Sequence, residues 1–268
     1  MNRIPLTLTS LGVITLLTAC TAPVPSPTSP GPTSPAPVSS LPQGDDSVTL
    51  DPATFSTTID NPYWPMVPGT RWTFREVDLD GTEVTAVVTV TFETREIANG
   101  ITARVVRDTV YSGDEIIEDT FDWYAQDADG AIWYLGEDTA EFENGVVAST
   151  EGSFEAGVDG ALPGIILPAD PQPGMEYRQE YLKGEAEDNG AILALGEMVE
   201  VPAGHYDGAL LTRDTATIEP DVEELKFYAR GVGLVLTLDV SGGTAREELI
   251  SIETVPEGTG VGPLGQPD

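Results

Sequence analysis

Apolar and polar positions alternate along most of this chain with a period of two. Val84, Ala86, Val88, Val90 and Phe92 interleave with Thr85, Thr89 and Thr91. This β-branched pattern turns one face of an extended strand toward a core. Comparable runs cover residues 102–111, 115–124, 131–135, 146–155, 175–183, 198–201, 209–217, 224–240 and 246–252. Turn signals separate them at Asn99-Gly100, Gly113-Asp114, Asp129-Gly130, Asn144-Gly145 and Gly242-Gly243. No stretch carries a sustained helical stripe. Short connections between successive strands predict an all-β antiparallel meander, curving into a full or half barrel that removes free edges.

Two irregularities stand out. In 224–240 the apolar positions change parity, from Leu225 and Phe227 to Leu234, Leu236 and Leu238, across Gly231-Val232-Gly233. One inserted residue flips the face of a strand, so a β-bulge or sharp bend is expected there. Residues 157–174, rich in proline and glycine, read as a long ordered crossover or lid rather than a strand.

The N-terminal pattern is different. One basic residue, Arg3, precedes an apolar segment from Ile4 to Leu17 that is too short to span a bilayer but suits a secretory signal. It ends at Leu17-Thr18-Ala19-Cys20, which resembles the lipobox of bacterial lipoproteins, and Cys20 is the only cysteine of the chain. That resemblance implies cleavage before Cys20, its lipidation, and an extracytoplasmic protein anchored to the bacterial cell membrane. Two or more acyl chains make a stable anchor. The proline-rich, uncharged stretch that follows cannot bury a core and favours an extended stalk. The expected organisation is a signal peptide (1–19), a lipidated cysteine and stalk (20–43), a single all-β domain (44–255) and a disordered tail (256–268).

Composition narrows the chemistry. Forty-five acidic against 12 basic residues give a net charge of −33, which argues against nucleic acid and anionic lipid headgroups as partners. The single histidine, His205, leaves no basis for a His-rich metal site and makes a Ser-His-Asp triad depend on that one residue.

The segments "VEVPAGHYDGALLT" (199–212) and "FYARGVGLVLTL" (227–238), with "NPYWPMVPGTRWTF" and "DWYAQDADGAIWYLGED", resemble an uncharacterised family of secreted bacterial envelope lipoproteins. Arg230 stands where that pattern usually has proline. The resemblance implies class and place, a surface-anchored all-β domain, and carries no catalytic residue.

Three groups of residues could carry chemistry. A tight turn at 112–115 would put Asp108 opposite Asp119, and the next hairpin would bring Asp138 to the same side. Three adjacent carboxylates suit a hard cation such as calcium. The competing reading is a solvated face, or one neutralised by an arginine such as Arg71 or Arg104. The second group follows the long loop: Arg178, Glu180, Glu185, Glu187 and Asp188, with Glu151, Glu155 and Asp159 within reach, as a pocket for a cation or cationic ligand or as a solvated rim. The third, the aromatics Trp64, Trp72, Trp123, Trp133 and Tyr134, reads either as core or as the lining of a sugar or lipid cleft. Residues 125–130 approach an EF-hand loop but lack its first ligand and its flanking helices, so a hairpin turn is expected instead. The leading expectation is a non-enzymatic lipoprotein that binds a cation, a ligand or an envelope protein. Alternatives are a lipid-carrying or lipoprotein-handling barrel and a carboxylate-dependent hydrolase.

Overall fold

The computed structural model describes residues 41–77, 81–241 and 245–266. The signal segment, Cys20, most of the stalk and the Gly242-Gly243 turn lie outside the described residues. The described residues fall within one compact unit, Val38–Asp268. The strands are β1 (Phe55–Ser56), β2 (Thr70–Val77), β3 (Glu83–Glu96), β4 (Thr102–Ser112), β5 (Glu115–Asp127), β6 (Ile132–Glu143), β7 (Val146–Ser149), β8 (Phe154–Glu155), β9 (Leu162–Leu167), β10 (Glu176–Arg178), β11 (Glu180–Tyr181), β12 (Asp188–Val201), β13 (Gly204–Ala216), β14 (Glu223–Ala229), β15 (Gly233–Asp239) and β16 (Arg246–Thr254).

All pairings among these strands are antiparallel. The order across the sheet is β10-β12-β13-β14-β15-β16-β2-β3-β4-β5-β6-β9-β11. Its two ends, β10 and β11, are separated in the chain by Gln179 alone. One short segment therefore pairs with β12 on one side and β9 on the other, and nearly closes the sheet into a barrel. The expected all-β curved meander is the observed architecture.

Buried Arg178 latches this seam. Its guanidinium donates to the carbonyls of Pro163 (2.9 Å), Gly44 (2.5 Å) and Asp46 (2.8 Å). Beside it Gly164 has no room for a side chain, because a Cβ would lie 2.1 Å from the Gln179 carbonyl oxygen. The interior face is filled largely by apolar side chains. Trp72 and Phe74 of β2, Ala86 and Val90 of β3, Val106 of β4, Tyr124 of β5 and Tyr228 of β14 all belong to the buried core. Burying each of the larger ones contributes about 1.5–3 kcal/mol.

Several local expectations are corrected. Gly231-Val232-Gly233 is a chain reversal between β14 and β15, not a bend in one strand; Ala229 pairs with Gly233. The parity change has its own cause, a register shift between Phe227 and Tyr228. The 157–174 segment is not only a crossover, since β9 within it pairs with β6 and β11. Residues 256–266 are ordered rather than a disordered tail. Gly262 and Pro263 accept from the Arg107 guanidinium at 2.9 and 3.1 Å, and the Gly265 amide donates to Asp119 at 2.7 Å.

Candidate functional site

The hairpin β4–β5 decides where the acidic residues go. Tyr111 pairs with Ile116 as expected, but a register shift follows and Val110 pairs with Glu118. Ile117 is the extra residue, so Asp119 comes opposite Thr109, and Asp108 opposite Thr120. Asp108 and Asp119 therefore lie on opposite faces of the sheet. Asp138, opposite Phe121, is exposed and lines a shallow outer depression with Trp123 and Arg95. The expected Asp108–Asp119–Asp138 triad does not form.

Asp119 is neutralised by Arg107, rather than by Arg71 or Arg104. The guanidinium donates to both carboxylate oxygens at 2.9 and 2.5 Å, and Thr109 Oγ1 donates at 2.8 Å. Both members of the pair are buried. Asp127 holds the β5–β6 turn, accepting from the amides of Asp129, Gly130 and Ala131 and from Trp133 Nε1, all within 3.0 Å. The EF-hand likeness is thus a hairpin turn. No group of three or more His, Cys, Asp or Glu placed to hold a metal ion occurs among the described residues.

The second predicted cluster is dispersed. Glu155 pairs with Arg95 at 2.6 Å and accepts from the Ala98 amide. Glu151, Asp159 and Glu185 are exposed in turns. Glu187 accepts from the Gly184 amide, and Arg178 serves the seam rather than Glu180. Only Glu180 and Asp188 join a common interior system. Burial and the repulsion of Asp188 and Glu137 hold the Glu180 carboxyl well above its usual range. Burial raises Asp188 to about 6, against the pull of Lys226.

A cavity of about 240 Å³ lies inside the barrel. Its apolar wall is Trp64, Trp72, Phe74, Tyr124, Tyr228 and Leu234. Trp64 packs between Tyr124 and Tyr228, with ring centroids 5.7 and 5.6 Å away. Gly233 makes room for it, since a Cβ there would lie 2.7 Å from the indole. Trp72 is fixed by its Nε1 donating to the Val232 carbonyl at 2.9 Å.

The polar wall is Asp108, Asp122, Glu224, Glu247, Lys226 and Thr237. Its single cation is already engaged: Lys226 Nζ lies 3.1 Å from Asp214 Oδ2 and 3.0 Å from Glu224 Oε2. Burial pulls the Lys226 ammonium down, Glu224 and Asp214 pull it up harder, and it stays charged. Glu247 accepts from Thr237 Oγ1 at 2.9 Å, and burial raises its carboxyl to about 7. Burial, with repulsion from Asp122 and Glu247, holds Asp108 well above the usual carboxylate range. Asp108 Oδ1 is buried and has no hydrogen-bond partner.

Deeper in, the Tyr134 hydroxyl lies 2.6 Å from both Asp122 Oδ1 and Glu137 Oε2. A hydroxyl donates one proton, so two such contacts require a second proton on one of the carboxyls. Burial accordingly raises Asp122 to about 7 and Glu137, also repelled by Asp122, to about 8. A hydrolase pair needs its substrate between the two carboxyls. Here the Tyr134 hydroxyl occupies that position.

Of the aromatics that sequence reasoning offered as possible lining, Trp64 and Trp72 line the cavity and Trp123, Trp133 and Tyr134 do not; Asp122, Glu247, Lys226 and Glu224 were missed. A signal was available. In "EELKFYA" the charged residues Glu224 and Lys226 alternate in step with Tyr228, the mark of a polar inner face.

No protein-family model matches the chain, and no curated protein sequence does. Two solved structures are similar over most of its length. One, from Bacteroides fragilis and named as an exported protein with a YmcC-like fold, shares 15% identity, covering 72% of this chain and 99% of its own, with a TM-score of 0.41. The other, from Parabacteroides distasonis and named as a lipoprotein, shares 13% identity, covering 71% of this chain and 98% of its own, with a TM-score of 0.38. At these identities and TM-scores neither assigns a function to this chain.

Proposed function

We propose that this protein is a lipid-anchored, extracytoplasmic binding protein, held by Cys20 at the end of a proline-rich stalk, whose β domain takes up a small ligand inside the barrel. The observation that carries this reading is the cavity itself, with an aromatic wall facing a carboxyl wall and a buried acceptor on Asp108 that lacks a donor. Concave sites of mixed apolar and sparse polar lining are where small molecules bind. The carboxyl wall disfavours an acyl chain, which would bury those groups with no compensating hydrogen bonds. A calcium role finds no support in the arrangement of Asp108, Asp119 and Asp138.

The test is chemical. Full-length protein purified from the cells that make it is denatured, and the released small molecules are read by mass spectrometry. Wild type should release a compound that Val88→Trp, which fills the cavity, does not. Equal release from both, or release from neither, overturns the cavity as the binding site.

A further inference from the structure

Each polar group of the cavity can be asked what it still requires. Lys226 is shared by Asp214 and Glu224, and Asp214 also accepts from Thr212 and Gln179 at 3.1 Å each. Asp122 is served by Tyr134 and Glu247 by Thr237. Asp108 Oδ1 is left as a buried acceptor without a donor. The lining carries four carboxyl groups to one ammonium, and that ammonium is held between Glu224 of the lining and Asp214, which leaves Asp108, Asp122 and Glu247 without a cation. A ligand that donates hydrogen bonds and carries positive charge would complete this wall in its ionised form.

The opposite wall selects among cations. A hard metal ion seeks six to eight oxygen ligands, and Trp64, Trp72, Phe74 and Leu234 supply none. Aromatic faces attract ammonium groups and also bury an apolar body. A quaternary ammonium has no N–H for Asp108. Resting on the cavity reading above, we infer that the ligand is a compact primary amine, its ammonium donating to the Asp108 carboxyl and its apolar body packed among Trp64, Trp72 and Tyr228. A volume of about 240 Å³ restricts that body to something near a single ring.

The experiment is calorimetric titration of the full chain, in nonionic detergent at pH 8, with 2-phenylethylamine, 2-phenylethanol and 3-phenylpropanoate. These share one ring and differ in whether the polar end is a cation, neutral or an anion. The amine should bind at least about tenfold more tightly than the alcohol, the scale of one charge-assisted hydrogen bond, and the acid most weakly. Asp108→Asn removes the charge at similar volume. It should reduce the amine's advantage over the alcohol to about threefold or less. Equal binding of amine and alcohol, or an advantage that persists in Asp108→Asn, overturns the amine assignment while leaving the cavity reading intact. If none of the three binds but a compound is released from wild type and not from Val88→Trp, the amine assignment falls alone. If no compound depends on the cavity either, both fall.

Discussion

Substituting Glu247 by Gln should change how stability depends on pH. Glu247 faces the cavity from β16, accepts from Thr237 and has neighbours of its own sign in Glu76 and Glu224. Burial, partly offset by the Thr237 hydrogen bond, raises its carboxyl from 4.5 to about 7. Because the folded value is the higher, the folded state binds more protons than the unfolded chain between these limits, and stability falls as pH rises through the window. The fall contributed by Glu247 alone is about 3 kcal/mol once both states are ionised. Asp122, at about 7, and Glu137, at about 8, act in the same direction, as does the self-repulsion of a chain carrying −33 charges. The domain should therefore resist urea better at pH 5 than at pH 8, measured at fixed ionic strength. Glu247→Gln keeps an oxygen for Thr237 and removes the charge. It should be more stable than wild type at pH 8, by up to about 3 kcal/mol, and gain nothing at pH 4. Parallel pH profiles for wild type and variant would refute the reasoning.

The site and scaffold make further predictions. Amine affinity should rise from pH 5 to pH 8, with protons released on binding, because an ammonium favours the ionised forms of Asp108, Asp122 and Glu247; calorimetry in buffers of different ionisation enthalpy counts those protons. Asp119→Ala removes the carboxylate that neutralises the buried Arg107 guanidinium and should cost about 3–5 kcal/mol, read from a urea melt. Gly164→Ala drives a Cβ into the Gln179 carbonyl, so hydrogen exchange should accelerate at 176–181 before it does elsewhere. Millimolar calcium at matched ionic strength should leave the melting temperature unchanged, since Asp108, Asp119 and Asp138 do not converge.

The all-β architecture was legible because alternation is a local signal: Val84, Ala86 and Val90 are buried as it indicates, although Phe92 is exposed and Thr89 and Thr91 are buried. What was not legible depends on single-residue shifts. Ile117 is an ordinary strand residue by propensity, yet as the extra residue it sends Asp108 inward and leaves Asp119 outside. The same limit hid Arg107 as the partner of Asp119, because the predicted register placed the two on opposite faces of the sheet. The 231–233 reversal looked like a bend because apolar runs flank it on both sides, and only pairing separates a bent strand from a hairpin. The tail read as disordered because its sequence is turn-rich, while its anchors, Arg107 and Asp119, lie far away in the chain. The cavity was half legible. Its aromatic residues were recognised as either core or lining; of its carboxyls only Asp108 was singled out, while Asp122, Glu224 and Glu247 were lost among 45 acidic residues.

A crystal structure of the complex with 2-phenylethylamine would test the account most directly. It should show the ring packed against Trp64, Trp72 and Tyr228 and the ammonium nitrogen within hydrogen-bond reach of the Asp108 carboxyl. Density for the amine on the outer face, in the depression beside Trp123 and Asp138, with the interior unoccupied at saturating concentration, would contradict it.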